Sequence, residues 1–219
     1  MIGIFDIDSI VYEAVYSADD FEGVVERFWD RYNSIRYNVG LKYPKAEIIL
    51  CGFCTKNYRK KIYPLYKANR PKEKPAFLQE IIEYVKKELP ITTASLMETD
   101  DLVAKYLEYY GKDNSFIISI DKDYRQFECT IYNYRRDEWE QISKDEATFN
   151  LNEQMIIGDT ADNVNFCKGF GKAWVKKNLV GKNEYAQRRA VYSVFKKLYK
   201  SKAKEMYVKS YMLLKLNLF

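Results

Sequence analysis

The 219-residue chain contains no histidine. Any acid–base or metal chemistry must therefore run on carboxylates, lysine, tyrosine or water. Oxygen-only ligands favour hard cations, Mg²⁺ or Mn²⁺, over zinc or copper. No run of about 18 apolar residues is present, so no membrane-spanning helix is expected. The first residues, MIGIFDID, lack a basic stretch and a cleavage site, and no secretory signal is read there. The four cysteines, Cys51, Cys54, Cys129 and Cys167, form no disulfide framework. Reduced thiols in a cytoplasmic protein are the simplest reading. Cys51-x-x-Cys54 would be half of a zinc site, but no second pair completes it, and a small-residue strand end fits better. Internal repeats and low-complexity segments are also missing.

What is present is a core and a sharp partition of charge. At 47% hydrophobic and 31% charged, the chain suits a globular protein of one large or two small domains. Its net charge is only +5, yet residues 56–74 hold eight Lys and Arg against the single acid Glu73. Residues 168–219 hold fourteen against Glu184 and Glu205, which leaves the rest strongly acidic. Basic runs are usually solvated faces. An acidic centre between two of them fits a polyanion held beside a metal cluster.

The stretch from Met97 to Phe127 organises the rest. Leu102, Val103, Tyr106, Leu107 and Tyr110 make an apolar stripe of helical period, with Glu98, Asp100 and Asp101 at the helix start and Gly111 at its stop. Phe116 to Ile120 is an all-apolar run, suited to a strand buried on both faces of a parallel sheet, and it ends in Asp121-Lys122-Asp123. Ile2 to Phe5 repeats that pattern, ending in Asp6 with Asp8 two residues on. Ligands of open α/β sheets bind beyond the strand C-termini. Acids gathered there would repel one another unless a cation lay between them; a solvated helix start and an unrelated turn is the bland alternative.

Elsewhere, helices are expected over Ser9–Tyr16, Phe21–Tyr37 and Phe77–Leu89, and strands over Glu47–Phe53 and Thr130–Tyr134, followed by a turn at 135–138. Residues 57–70 interleave Tyr with Lys and Arg, a pattern that stacks bases and tracks phosphates, although a basic surface helix would look the same. With the proline-bounded tip at 71–75 they form a lid-like helical excursion. Asp159 and Asp162, spaced i, i+3, would share a face of a helical turn. The turn Gly169-Phe170-Gly171-Lys172 opens a basic helix whose N–H groups would meet phosphate. The tail from Tyr185 to Leu218 reads as helical and basic.

Taken together, FDID, YRKKIYPLYKANR, ETDDLVAKY, SIDKDYRQF and GDTADN followed by GFGKAWVKK resemble, in order and spacing, the 5′ nuclease family: flap endonucleases, 5′-nuclease domains of bacterial DNA polymerases and bacteriophage 5′–3′ exonucleases. The compact arch and tail most resemble the phage branch, which would place the protein in the cytoplasm of a host cell. The resemblance implies an α/β fold: a PIN-like, mostly parallel sheet flanked by helices (1–140, with a helical arch at about 56–96) and a C-terminal helix–two-turn–helix DNA-binding module (141–219). It implies two divalent ions, Mg²⁺ or Mn²⁺, held by Asp6, Glu98, Asp100, Asp101, Asp121, Asp123, Asp159 and Asp162. Lys67 and Arg70 would act catalytically on the scissile phosphate, and Tyr66 would stack on the terminal base. Gly169, Gly171, Lys172, Lys176 and Lys177 would grip duplex backbone, with a monovalent cation such as K⁺ at the turn. The partners implied are DNA with 5′ flaps, nicks or duplex ends, RNA–DNA hybrids, and single-strand-binding or replication proteins, met by a monomer. The reaction implied is 5′–3′ exonuclease or flap-endonuclease hydrolysis in replication or repair.

One departure matters. The family usually places a second-strand aspartate shortly before the arch motif, and here that region reads Cys51-Gly52-Phe53-Cys54. Gly52 and Cys54 are the two positions that correspond, and Asp8 is an alternative ligand. A structure-specific binding protein with weak or lost catalysis is therefore the second reading. A PIN-type ribonuclease is the third, opposed by the long basic module. Replacing Lys172, Lys176 and Lys177 together by alanine should weaken DNA binding uniformly across sequences. It should also reduce the slope of log affinity against log salt by roughly 0.9 for each phosphate no longer neutralised; salt titrations measure this, and an unchanged slope would place the duplex elsewhere.

Overall fold

The structure, a computed structural model, describes residues 1–71 and 73–217; Lys72 of the basic tip and Leu218 of the tail lie outside the described residues. Among those described, six strands form one sheet in the order β3-β2-β1-β4-β5-β6. These are β1 (Ile2–Asp6), β2 (Glu47–Cys51), β3 (Ile91–Thr92), β4 (Ser115–Ile118), β5 (Cys129–Asn133) and β6 (Glu138–Ile142). The pairs β1–β2, β1–β4, β2–β3 and β4–β5 are parallel. This is the PIN-like, mostly parallel arrangement that the apolar runs predict, because strands covered by helices on both faces need no polar alternation.

Register carries the functional consequence. Asp6 lies opposite Cys51, and Phe5 opposite Ile118. The ends of β1, β2 and β4 therefore finish at one edge of the sheet. The helix α5 (Thr99–Tyr110) follows β3, whose Thr92 pairs with Cys51, so its N-terminus leaves from that same edge.

The chain packs as two compact units. The first comprises Met1–Lys56, Pro71–Tyr124 and Cys129–Gln141. Around the sheet it places α1 (Asp8–Val15), α2 (Phe21–Lys42), α4 (Leu78–Glu88) and α5, sealed by Phe5, Ile10, Phe28, Ile81, Phe116 and Ile118. The second comprises Asn57–Arg70, Arg125–Glu128 and the chain from Ile142 onward. It contains α3 (Arg59–Ile62), α6 (Lys144–Ile157), α7 (Lys172–Asn178), α8 (Glu184–Tyr199) and α9 (Ala203–Leu214), packed on Ile156, Leu179, Val191 and Phe195.

Several expectations change here. Residues 57–70 do not form a long helix of a lid: α3 is four residues, and turns follow it. This segment packs with the second unit, where Arg59 is buried and its Nε and Nη2 donate to the carbonyls of Leu213 and Lys215 at 2.9 and 3.1 Å. A cation at a helix C-terminus meets both the dipole and the unsatisfied carbonyls. Asp159 and Asp162 sit on a loop rather than a helical turn, because Asp159 and Val164 exchange backbone hydrogen bonds at 2.7 and 2.8 Å. The tail is two helices, broken at Lys200 with φ +51°. Strand β6 and helix α6 were not expected.

Gly158 ends α6 at φ +80°, and a Cβ there would meet the Val164 carbonyl oxygen. Gly40, inside α2, has open space around it. Gly158→Ala should therefore lower stability by about 1–3 kcal/mol, while Gly40→Ala should raise it by about 0.5–1 kcal/mol. Thermal unfolding of the two variants checks the contrast.

Candidate active site

Asp6 closes β1 and is only 6% exposed. Its Oδ2 accepts the Tyr124 hydroxyl at 2.8 Å, and its Oδ1 accepts the Asp8 N–H at 3.2 Å. Burial, then the charges of Asp8 and Asp121, push its pKa up to about 8. An uncompensated carboxylate of this kind favours its neutral form. Because the unfolded chain titrates near 3.8, the folded chain holds an extra proton between about pH 4 and pH 8, and stability falls as pH rises through that window. A cation beside the group would relieve the same repulsion.

Tyr124 gathers the cluster. It is fully buried, and its pKa is raised by burial and then by Asp6, Asp100 and Asp121. Three carboxylates from β1, the start of α5 and the end of β4 thus act on one hydroxyl. Local turn chemistry fixes each of them. Asp121 Oδ1 accepts the Asp123 N–H at 2.9 Å, opening the 3₁₀ turn Lys122–Gln126 that carries both Asp123 and Tyr124. Asp100 Oδ1 accepts the Asp101 N–H at 2.8 Å. Glu98 and Asp101 form a capping box at the start of α5, so their carboxylates serve the helix terminus. Tyr124 was not singled out from the sequence; its only signal was a tyrosine directly after two strand-end acids.

Asp8 has a structural task. Its Oδ1 accepts the Phe53 N–H at 2.8 Å, and its Oδ2 accepts the Thr99 hydroxyl at 2.7 Å. One side chain thereby ties the start of α1 to the end of β2 and the start of α5. At the departed position, Gly52 and Cys54 differ clearly. A Cβ on Gly52 would sit 2.7 Å from Ile7 Cγ1 and 3.1 Å from Asp8 Oδ1, beside an acid but with no room for a side chain. Cys54 is half-buried; its Sγ accepts the Ala94 N–H at 3.2 Å, and Asp8 and Asp100 help burial hold its thiol protonated. Cys54, then, adjoins the acids.

The donor set fits a hard divalent ion, since it is carboxylate oxygen throughout and carries surplus buried charge. Among the described residues no three acidic or thiol side chains already converge on one point. Mg²⁺ bound through one or two carboxylates and several waters does not require such a cage.

The remaining expected residues lie in the second unit. Asp159 is buried, accepting from Gln154 Nε2 at 3.4 Å and from the Asp162 N–H at 3.1 Å. Asp162 carries ion pairs to Lys67 at 3.5 Å and Arg70 at 3.0 Å. Tyr66 requires a correction: it is 2% exposed, with its ring in the core and its hydroxyl on Asp162 Oδ2 at 2.5 Å, so it offers no face to a base. Gly169 has φ +87°, Gly171 caps α7, and Lys172, Lys176 and Lys177 are all exposed.

A six-stranded, mostly parallel sheet with carboxylates gathered at the strand C-termini defines a PIN-like, resolvase-type nuclease fold. The chain belongs to the 5′ nuclease family: residues 9–154 match the family described as 5′–3′ exonuclease, N-terminal resolvase-like domain. No curated protein matches the chain. Among solved structures, it is similar to the flap endonuclease of bacteriophage T5 in a pseudo-enzyme–product complex with DNA and metal ions. The TM-score is 0.60 at 15% identity, over 97% of this chain and 98% of that one. It is also similar to the catalytic core of Rad2 in complex with DNA substrate, with TM-score 0.57 and 13% identity over 98% of this chain and 72% of that one. At these identities the likeness is one of fold.

The geometry at Gly52 and Cys54 separates two substitutions. Cys54→Asp should lower the Mg²⁺ concentration needed for half-maximal activity. Gly52→Asp should instead cost roughly 1–3 kcal/mol of stability by overpacking against Ile7. The wild type should need less Mn²⁺ than Mg²⁺, because Mn²⁺ is more tolerant of ligand type. Metal titrations of the three proteins, with melting temperatures, check all three points; equal requirements in all of them would mean that the departure is compensated.

Proposed function

We propose that the chain is a metal-dependent 5′ nuclease that hydrolyses phosphodiester bonds at 5′ ends, flaps and nicks of DNA, in replication or repair. The observation that carries this reading is the gathering of acids at the sheet edge, where Asp6 is hydrogen-bonded to the buried Tyr124 hydroxyl and the charges of Asp6, Asp100 and Asp121 all raise the pKa of that hydroxyl. These three carboxylates would hold the divalent ions, with Asp123 beside them. Ions bound there would supply an activated water and stabilise charge on the attacking and leaving oxygens.

The chain's own groups do the rest. Tyr124 orients Asp6 through its hydroxyl, so that one carboxylate oxygen has a fixed direction. Asp8 holds the edge of the site in register without surrendering either oxygen. Lys67 and Arg70 neutralise phosphate charge, which grows in the transition state and so favours rate over ground-state binding. The exposed lysines of α7 follow duplex backbone without reading sequence, and a K⁺ ion at Gly169–Lys172 would join them. RNA–DNA hybrids are a further substrate class for this chemistry.

A second reading, a structure-specific binding protein with weak catalysis, draws on the lack of an acid at Gly52 and Cys54, the two positions that correspond to the family's second-strand aspartate. Cleavage of end-labelled and internally labelled flap, nick and RNA–DNA substrates with Mg²⁺, Mn²⁺ or EDTA separates the two. Asp121→Asn should reduce cleavage by roughly two orders of magnitude, the scale seen when one electrostatic group is removed from an active site. DNA affinity should stay level or rise, since a negative charge has been removed. Full activity in the purified variant would defeat the assignment.

A further inference from the structure

In the second unit, the segment carrying Lys67 and Arg70 is bound along its length to the loop 159–163. The Lys67 N–H donates to the Asp162 carbonyl at 2.9 Å. Asn69 Nδ2 donates to the Thr160 carbonyl at 2.7 Å, and Asn163 Nδ2 to the Leu65 carbonyl at 2.8 Å. On this frame three side chains converge on one carboxylate. Lys67 Nζ and Arg70 Nη2 both face Asp162 Oδ1, at 3.5 and 3.0 Å, and the Tyr66 hydroxyl donates to Oδ2 at 2.5 Å. Lys67 adopts φ +56°, which is unfavourable for a residue with a side chain and persists here under these ties.

We propose that Asp162 is a positioning residue rather than a metal ligand: it sets Lys67 and Arg70 as a preassembled two-cation cradle for a phosphate of the nucleic-acid strand. This rests on the phosphate-neutralising reading of those two residues. Both oxygens of Asp162 already face cations or a hydroxyl donor, so a metal ion placed there would be repelled by Lys67 and Arg70 and would compete for the carboxylate that orients them. The Lys67 and Asp162 side chains are each 15% exposed, so their interaction is screened far less than a surface pair would be. Arg70 is 53% exposed, and a guanidinium has five N–H donors, more than Asp162 and the Ala161 carbonyl take up. Two cations against one carboxylate leave the cradle net positive. Tyr66, buried beneath, supplies the fixed floor, which is why an aromatic in a basic segment is turned inward.

The test is a mutational cycle read on DNA affinity, single-turnover cleavage and Mn²⁺ binding by calorimetry. Asp162→Asn should bind DNA as tightly as wild type or roughly threefold tighter, because a repelling charge is gone. It should cleave roughly ten- to hundredfold more slowly, because the two cations are no longer held in place. Its Mn²⁺ stoichiometry and apparent Mg²⁺ requirement should match wild type. In a chain already carrying Lys67→Ala and Arg70→Ala, adding Asp162→Asn should slow cleavage no further, since groups that act through one another are not additive, while affinity should stay level or rise because an unneutralised negative charge is removed. Asp162→Glu should recover part of the rate, and Tyr66→Phe should give a smaller loss of the same kind. A raised metal requirement, one Mn²⁺ equivalent fewer or an undiminished loss of rate in the Lys67→Ala/Arg70→Ala chain would overturn the proposal and make Asp162 a ligand. Should the wild type cleave nothing with any ion, the nuclease reading falls, while the Mn²⁺ titration still decides the role of Asp162.

Discussion

A carboxylate at the end of a buried parallel strand has little water to share its charge with, and Asp6 is in that position. Parallel topology makes the problem collective: every strand points the same way, so acids that end strands are delivered to one edge. Around Asp6 the chain places a tyrosine hydroxyl, the Asp8 N–H and an Asp8 carboxylate spent on Phe53 and Thr99. These partners orient the charge without cancelling it. Either protons or cations must do that, and the proton solution holds only below about pH 8. A cation beside Asp6 would relieve the same repulsion that its proton relieves at lower pH.

The apolar runs ending in Asp6 and Asp121, and the helical stripes of α2, α4 and α5, were legible because each needs only a local pattern and burial on one side or both. Helix α6 was not: Lys144 to Asn150 shows no apolar stripe, and the helix start is set by the reciprocal cap of Ser143 and Glu146. Strand β6, with charged Glu138 and Glu140 around Trp139, looked like part of a turn and becomes a strand only as the edge partner of β5. Nor does any glycine or proline announce the break at Lys200.

At the site, residue types were more legible than roles. The acids and the basic segment stood out by composition, but Tyr66 was read as an exposed stacking residue because sequence shows an aromatic among cations, not which way it points. Its ring is buried in the core of the second unit and its hydroxyl meets Asp162, 96 positions away. The same distance hid the pairing of Lys67 and Arg70 with that residue. Cys54 shows the converse, since the absence of an acid was plain in sequence. That Cys54 has room for a side chain, while a Cβ on Gly52 would press on Ile7 as well as on Asp8, depended on the packing around β2.

The clamp of Arg59 on the end of α9 has a consequence in time. Its guanidinium bonds to a carbonyl 154 positions further along the chain, and Gln126 both donates to the Leu214 carbonyl and accepts the Leu216 N–H. A growing polypeptide therefore makes the 57–70 segment long before the residues that bury its arginine exist. Pairings this remote in sequence close slowly, because the loop entropy is given up before any favourable interaction compensates for it. The sheet of the first unit can condense while synthesis continues, but the second unit is completed last. An emerging chain should therefore pass through a stage in which the acidic edge of the first unit is finished while the second unit still lacks the residues that bury Arg59.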